Sequence, residues 1–126
     1  MGDYTLITDQ SICIDTKSGL LEAAMDLGSE KTRFWRECER ADKYGILLVV
    51  LIEVPNKAIR TVYDVGNWHN PFLNPANPKY NPKAMTGQRL MKRINDCRRR
   101  FGTEFVFCTP EETGQVIRGF LDNGRQ

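Results

Sequence analysis

The chain has 126 residues and a formal net charge of +2, a length typical of a single domain with its own hydrophobic core. Its four cysteines are widely spaced and form no C-x-x-C pair, which argues against a zinc ribbon. The longest apolar run, residues 46–52, is far shorter than the roughly 18 residues that cross a bilayer, and we expect no signal peptide. We therefore expect an intracellular, cytoplasmic protein with reduced thiols and no membrane contact.

The chain begins with two β-prone segments, residues 4–7 and residues 11–17. A three-residue loop centred on Asp9 separates them, which predicts a β-hairpin. With this centre, the numbers of paired residues sum to 18, and Asp3 faces Asp15 across the hairpin. A register shifted by one residue would turn Asp3 to the opposite face.

Side chains alternate along the second strand, so Ile12 and Ile14 share one face while Asp15 and Lys17 share the other. We expect the first face to be core and the second to be polar. Two opposed carboxylates repel each other unless a cation separates them, so Asp3 and Asp15 predict a site for Mg²⁺ or Mn²⁺. Replacement of Asp15 should then leave thermal stability unchanged or raised.

Lys17 would point at the same place as Asp15, where it could orient an attacking water or stabilise charge on a phosphate. The chemistry implied is metal-assisted hydrolysis of a phosphodiester. A D-x-K tripeptide is a weak signal by itself, because a surface Asp-Lys pair on an edge strand is its more common explanation.

Helical spacing of apolar residues over residues 29–44 predicts an amphipathic helix that ends at Gly45. Ser18 and Ser29 are the candidate helix starts. Residues 46–52 follow as a strand buried on both faces, which is typical of an α/β sheet. Residues 54–85 hold five of the six prolines and predict a long loop with one short helix near residues 58–65.

Apolar residues at helical spacing also predict a helix over residues 88–101. Residues 79–100 carry eight basic side chains and one acidic side chain, whereas residues 1–53 carry ten acidic and six basic ones. A basic helix beside an acidic segment suits a phosphodiesterase, and a solvated helix face is the alternative. The candidate DNA-binding residues of this helix are Arg89, Lys92, Arg93, Arg99 and Arg100.

Residues 104–108 predict a last strand, and residues 109–112 form a capping box before a final helix that extends to about Asp122. The predicted element order is β-β-α-α-β-loop-α-β-α. This order indicates one α/β domain over residues 1–126, with helices packed on a mixed sheet.

Several of these segments resemble the XPF-type structure-specific nucleases, a branch of the PD-(D/E)xK, or restriction-endonuclease-like, superfamily. Residues 2–4 and 14–18 resemble the family's GD…ERKS signature, and residues 51–53 follow in the family's order. Small phage and prophage members are more similar still, with an RFxxExxRA helix as in residues 33–41 and an FxFC-x-x-E-x-T-G segment as in residues 105–114.

The resemblance implies a restriction-endonuclease-like mixed sheet flanked by helices, with Asp3 and Asp15 as metal ligands and Lys17 as the catalytic lysine. Glu22 would be a further catalytic acid, one residue beyond the family's position, and Arg33 would contact DNA. The activity implied is a Mg²⁺- or Mn²⁺-dependent endonuclease for branched or flapped DNA.

Two departures support an alternative, a catalytically impaired DNA-binding or assembly module of the same fold. The family's Glu-Arg-Lys is Asp-Thr-Lys here, and its upstream V-D-x-R-E strand does not precede residues 2–4. A strand left without that neighbour should pair with a second copy of the chain or with a strand-donating partner. An unrelated α/β interaction protein with a fortuitous D-x-K is the third hypothesis.

Overall fold

The computed structural model describes residues 4–5, 12–55 and 57–123. Within them, four strands form one sheet in the order β1-β2-β3-β4. The strands are β1 (Tyr4–Thr5), β2 (Ile12–Lys17), β3 (Leu47–Glu53) and β4 (Glu104–Cys108). β2, β3 and β4 run parallel and β1 is antiparallel to β2, so the predicted α/β class with a mixed sheet is confirmed.

The register of the first two strands is the predicted one wherever it is described. Tyr4 pairs with Ile14 and Thr5 pairs with Cys13, and both pairs have numbers that sum to 18. The next pair in this register would be Asp3 with Asp15, but Asp3 lies outside the described residues, as does the predicted loop around Asp9.

Four α-helices accompany the sheet within the described residues: α1 (Leu20–Asp26), α2 (Arg33–Lys43), α3 (Gly87–Phe101) and α4 (Thr113–Asn123). Helices α1, α2 and α3 cover one face of the sheet through a large core that includes Trp35 and Ile94. Helix α4 covers the other face, where Ile117 packs with Ile14, Val49 and Leu51. No helix of the described segments is long and apolar enough to span a membrane.

The predicted division of β2 into a core face and a polar face is wrong. Cys13 shares the face of Asp15 and Lys17, and Cys13 is 3% exposed within the larger core. Both faces of the strand are therefore covered by helices, because α4 covers the Ile14 face and α1, α2 and α3 cover the Cys13 face. The polar pair lies at the edge of a core and not on an open surface.

Helix α2 begins four residues later than predicted. The Thr32 hydroxyl accepts a hydrogen bond from the Trp35 amide at 3.1 Å, and this cap fixes the first turn at Arg33. Ser29 instead accepts from the Lys31 amide in the preceding turn. The predicted end is confirmed, since Gly45 has a φ of 69°, which glycine adopts without strain.

The long loop is anchored to the core at several points. Its short helix is a 3₁₀ helix over Val62–Asn67, later than the predicted residues 58–65, and a second 3₁₀ helix covers Pro71–Leu73. Asn70 is 4% exposed, and its amide donates to the Met85 carbonyl at 2.9 Å. This partly buried hydrogen bond ties the middle of the loop to the residues just before α3.

Candidate active site

The candidate active site lies at the end of β2, where Asp15 and Lys17 project from the same face. Lys17 Nζ is 2.9 Å from Asp15 Oδ2 and 2.6 Å from Oδ2 of Asp26, which lies at the end of α1. The same ammonium group stands 3.9 Å from the centre of the Phe34 ring in α2. β2, α1 and α2 therefore meet at Lys17, which is only 3% exposed.

The surroundings keep Lys17 protonated. Burial alone would lower the pKa of Lys17, but hydrogen bonds and charge attraction from Asp26 and Asp15 outweigh it and raise that pKa. A lysine held in this way cannot act as a general base near neutral pH. It can hold a positive charge next to Asp15 and to any anion that approaches the pair.

The position of Lys17 changes the electrostatic argument for Asp15. The predicted hairpin placed Asp15 opposite Asp3, so replacement of Asp15 was expected to leave thermal stability unchanged or raised. Asp15 already has a cationic neighbour in Lys17, so removal of its charge should cost stability and not add to it. The Asp15 side chain is 16% exposed, which leaves part of it accessible to a ligand.

Asp26 is the residue of this cluster that sequence reasoning missed. Glu22 was predicted in the catalytic role, but Glu22 is exposed, and its carboxylate accepts a hydrogen bond from Ser18 Oγ at 3.0 Å. Asp26 lies one helical turn later and reaches Lys17 instead. Ala23 and Leu27 mark the buried side of α1. Asp26 follows Ala23 by three residues, so its side chain lies beside that buried side. That spacing is the signal by which Asp26 could have been found.

The described residues supply part of a ligand set for a hard divalent cation. Carboxylate oxygens are what Mg²⁺ prefers, and Asp15 and Asp26 provide them within reach of one lysine. Among the described residues, no group of three His, Cys, Asp or Glu stands close enough together to hold a metal ion. Asp3, the predicted second ligand, lies outside those residues.

Four of the predicted DNA-binding residues of α3 are exposed to solvent: Arg89, Lys92, Arg99 and Arg100. Arg89 and Lys92 are exposed on the first two turns of the helix. Arg99 is 74% exposed, although its guanidinium lies 2.6 Å from Asp96 on the same helix. Arg33 of α2 is 95% exposed and forms only a 3.5 Å pair with Glu37. These cations are placed where phosphates could reach them.

Two of the predicted DNA-binding residues, Arg93 and Arg100, contact residues outside α3. Arg93 is half-buried, its Nε donates to the Leu27 carbonyl at 2.9 Å, and its guanidinium lies 4.6 Å from the Trp35 ring centre. Arg100 lies 2.5 Å from Glu30 and 5.4 Å from the Trp35 ring. Both arginines therefore help to join α3 to α1 and α2. Helical periodicity could not separate them from their exposed neighbours, because their partners are distant in sequence.

Two neighbouring cysteines, Cys38 of α2 and Cys97 of α3, lie in the larger core. Cys38 and Cys97 are both fully buried, and neither forms a disulfide. The neighbouring Cys97 sulfur and burial raise the pKa of the Cys38 thiol, so Cys38 stays protonated. This pair helps to pack α2 against α3.

Comparison of the chain with protein-family models, with curated proteins and with solved structures finds no match. The fold places the protein among α/β domains with helices on both faces of a mixed sheet.

Proposed function

We propose that the protein is a metal-dependent DNA endonuclease with a restriction-endonuclease-like fold, related to the XPF-type nucleases and acting on branched or flapped DNA. The observation that carries this proposal is the Asp15–Lys17 pair at the end of β2, held at 2.9 Å beside Asp26. Continuation of the observed β1–β2 register would bring Asp3 opposite Asp15 and add a second carboxylate to this pair.

In this proposal Asp15 and Asp3 hold Mg²⁺ or Mn²⁺, and Asp15 is accessible enough to do so. The bound ion would polarise the phosphodiester and lower the pKa of an attacking water. Lys17 remains an ammonium group and offsets the negative charge that grows on the phosphate as the water attacks. Asp26 and the Phe34 ring hold the ammonium in place, so Asp26 is a positioning residue.

The exposed cations of α3 support a DNA partner. Arg89 and Lys92 have no acidic partner within the described residues, so their charge is available to phosphates. Helix α3 also packs beside the candidate site, because Arg93 binds the carbonyl of Leu27, the residue after Asp26. A duplex bound along this helix would lie on the same side of the sheet as Asp15.

A catalytically impaired DNA-binding or assembly module of the same fold is the second candidate. The observation that favours it is the full engagement of Lys17, which is 3% exposed between two carboxylates and an aromatic ring. A lysine with these three contacts stabilises the fold. Its ammonium group would have to give up one of them to reach a phosphate. Pairing with a second copy of the chain belongs to both candidates and is measured by sedimentation velocity.

The deciding experiment is cleavage of a labelled flap DNA with Mn²⁺ by the wild-type chain, by Asp15→Asn and by Asp42→Asn. Asp42 is an exposed aspartate of α2 and provides the matched control. We expect cleavage by the wild type and by Asp42→Asn, and none by Asp15→Asn, which should also bind Mn²⁺ more weakly by calorimetry. Equal cleavage by all three variants refutes the site, whereas DNA binding without cleavage by any of them favours the second candidate.

A further inference from the structure

A cleft of about 1370 Å³ lies between α3 and the 3₁₀ helix Val62–Asn67, on the other side of α3 from its buried residues. Its charged lining consists of four cations and one acid: Arg89, Lys92, Arg98, Arg99 and Glu104. The surplus of positive charge attracts a polyanion. Arg98 was not among the residues predicted from the sequence to bind DNA.

Most of the cationic charge in this cleft is not neutralised by nearby carboxylates. Within the described residues, Arg89 and Lys92 form no ion pair, and Arg98 bonds only to the neutral amide of Asn95 at 3.2 Å. Arg99 has a carboxylate partner in Asp96. Three of the four cations can therefore meet an anionic ligand without first losing an acidic partner.

The cleft also holds an exposed aromatic ring on a rigid support. Tyr63 is 76% exposed, whereas its neighbours Val62 and Val65 are buried and anchor the turn. The turn is capped by Thr61 and Asp64, whose carboxylate accepts hydrogen bonds from the Arg60 and Thr61 amides at 2.9 Å each. The ring is therefore presented to solvent by a backbone that is fixed on both sides.

Tyr63 and Arg98 line a second cleft as well, of about 320 Å³, which continues past them to the outer edge of β4 at Val106. At the opposite end of the large cleft, Arg89 also lines a third, smaller cleft. Met25 of α1 and Gly28, which follows α1, line this smaller cleft as well. The cationic groove thus extends from α1, the helix that carries Asp26, to the edge of the sheet. Such a length suits an extended chain.

We propose that this groove binds a single strand of nucleic acid, with one base stacked on Tyr63 and the phosphates on Arg89, Lys92 and Arg98. Sites for single strands combine a cationic track with aromatic rings, because unpaired bases expose faces that stack on such rings. A duplex hides those faces within its own stack. That the bound strand is DNA rests on the proposed function, in which the groove holds the unpaired strand of a flap.

The first test measures binding of a labelled oligothymidine by fluorescence anisotropy in EDTA, so that cleavage plays no part. Tyr63→Ala should weaken binding by about 5- to 150-fold, whereas Tyr63→Trp should retain it, because a larger ring still stacks. Tyr44→Ala, which removes a 65% exposed tyrosine just after α2, is the matched control and should have no effect. Wild-type affinity in Tyr63→Ala overturns the proposal.

The second test neutralises Arg89, Lys92 and Arg98 together by substitution with glutamine. The log–log salt dependence of binding should flatten by about 0.7 per lost contact with a single strand. The same change at Arg36, Arg40 and Lys43 removes two arginines and one lysine from the exposed face of α2 and should leave the slope unchanged. Equal slopes for the two triple variants would overturn the proposal, as would equal competition by polyglutamate and oligothymidine.

Failure of this inference and failure of the proposed function give different results. If Tyr63→Ala binds the oligonucleotide like the wild type while Asp15→Asn alone abolishes cleavage, the groove assignment is wrong and the nuclease remains. If no variant cleaves DNA but Tyr63→Ala loses binding, the nuclease is wrong and the groove remains.

Discussion

The ammonium group of Lys17 lies 2.6 Å from the carboxylate of Asp26, a residue nine positions later on a different element. This contact joins the end of β2 to the end of α1. It also explains how a lysine can be almost completely buried at the edge of a core, because each of its neighbours stabilises the charged form.

Replacement of Asp26 by Ala should destabilise the protein by about 1–3 kcal/mol, because the buried ammonium of Lys17 loses one of its two carboxylates. The free energy of unfolding in urea measures this effect. Asp42→Ala removes an exposed aspartate and should change the free energy by less than about 0.5 kcal/mol. Identical unfolding midpoints for the two variants would show that the Lys17–Asp26 contact does not stabilise the fold.

Replacement of Lys17 by Met should destabilise the protein at pH 7, because Asp15 and Asp26 lose their common cation. The pKa of Lys17 in the wild type is raised, so its contribution to stability is complete below the ordinary lysine pKa and is lost as the pH rises through the raised one. The difference in urea midpoint between the wild type and Lys17→Met should therefore narrow above the ordinary lysine pKa. A difference that stays constant from pH 7 to pH 12 would contradict the expectation.

Replacement of Gly87 by Ala should destabilise the protein by about 1–3 kcal/mol. A Cβ atom at Gly87 would stand 2.5 Å from the Trp68 carbonyl oxygen and 2.6 Å from that of Val65, so α3 would have to move away from the 3₁₀ helix. Gly119→Ala is the control in the opposite direction. A Cβ at Gly119 meets nothing within 4 Å on an exposed turn of α4, and alanine there should stabilise by about 0.5–1 kcal/mol. The melting temperature should therefore fall in Gly87→Ala and rise in Gly119→Ala.

Replacement of Arg93 by Gln should lower stability by about 1–2 kcal/mol while leaving the salt dependence of DNA binding unchanged. Its guanidinium binds the Leu27 carbonyl and covers Trp35, and neither contact involves solvent. Lys92→Gln should show the reverse pattern, with unchanged stability and a flatter salt dependence. A flatter slope in Arg93→Gln would restore the sequence-based assignment of Arg93 to DNA.

Glu112 should make the stability of the protein sensitive to acid. Arg60, together with the amide and hydroxyl of Thr109, lowers the pKa of Glu112 to about 2. A depressed pKa in the folded state gives stability that is present above the ordinary glutamate pKa and lost as the pH falls towards 2. The difference in urea midpoint between the wild type and Glu112→Gln should therefore be larger at pH 5 than at pH 2.5. Glu111→Gln changes the exposed neighbouring acid, and its difference in urea midpoint from the wild type should be the same at both pH values.

Local patterns in the sequence were sufficient for most of the secondary structure and for part of the register. Alternating and helical periodicity report which side of each element is apolar, and this depends only on residues close in the chain. The turn centred on Asp9 predicted the Thr5–Cys13 pair, and Gly45 predicted the end of α2. The start of α2 was wrong because two hydroxyl residues competed as caps, and Thr32 is the one whose oxygen reaches an amide.

The surroundings of each charged side chain were decided by the tertiary structure alone. Lys17 and Arg93 both belong to polar patterns in the sequence, yet packing of α1 and α2 against the sheet buries the first and stacks the second on Trp35. Asp26 became part of the candidate site because α1 folds back across the end of β2. The energy of a charge depends on how many helices exclude water from it and on which opposite charges they bring near, and periodicity along one element contains neither quantity.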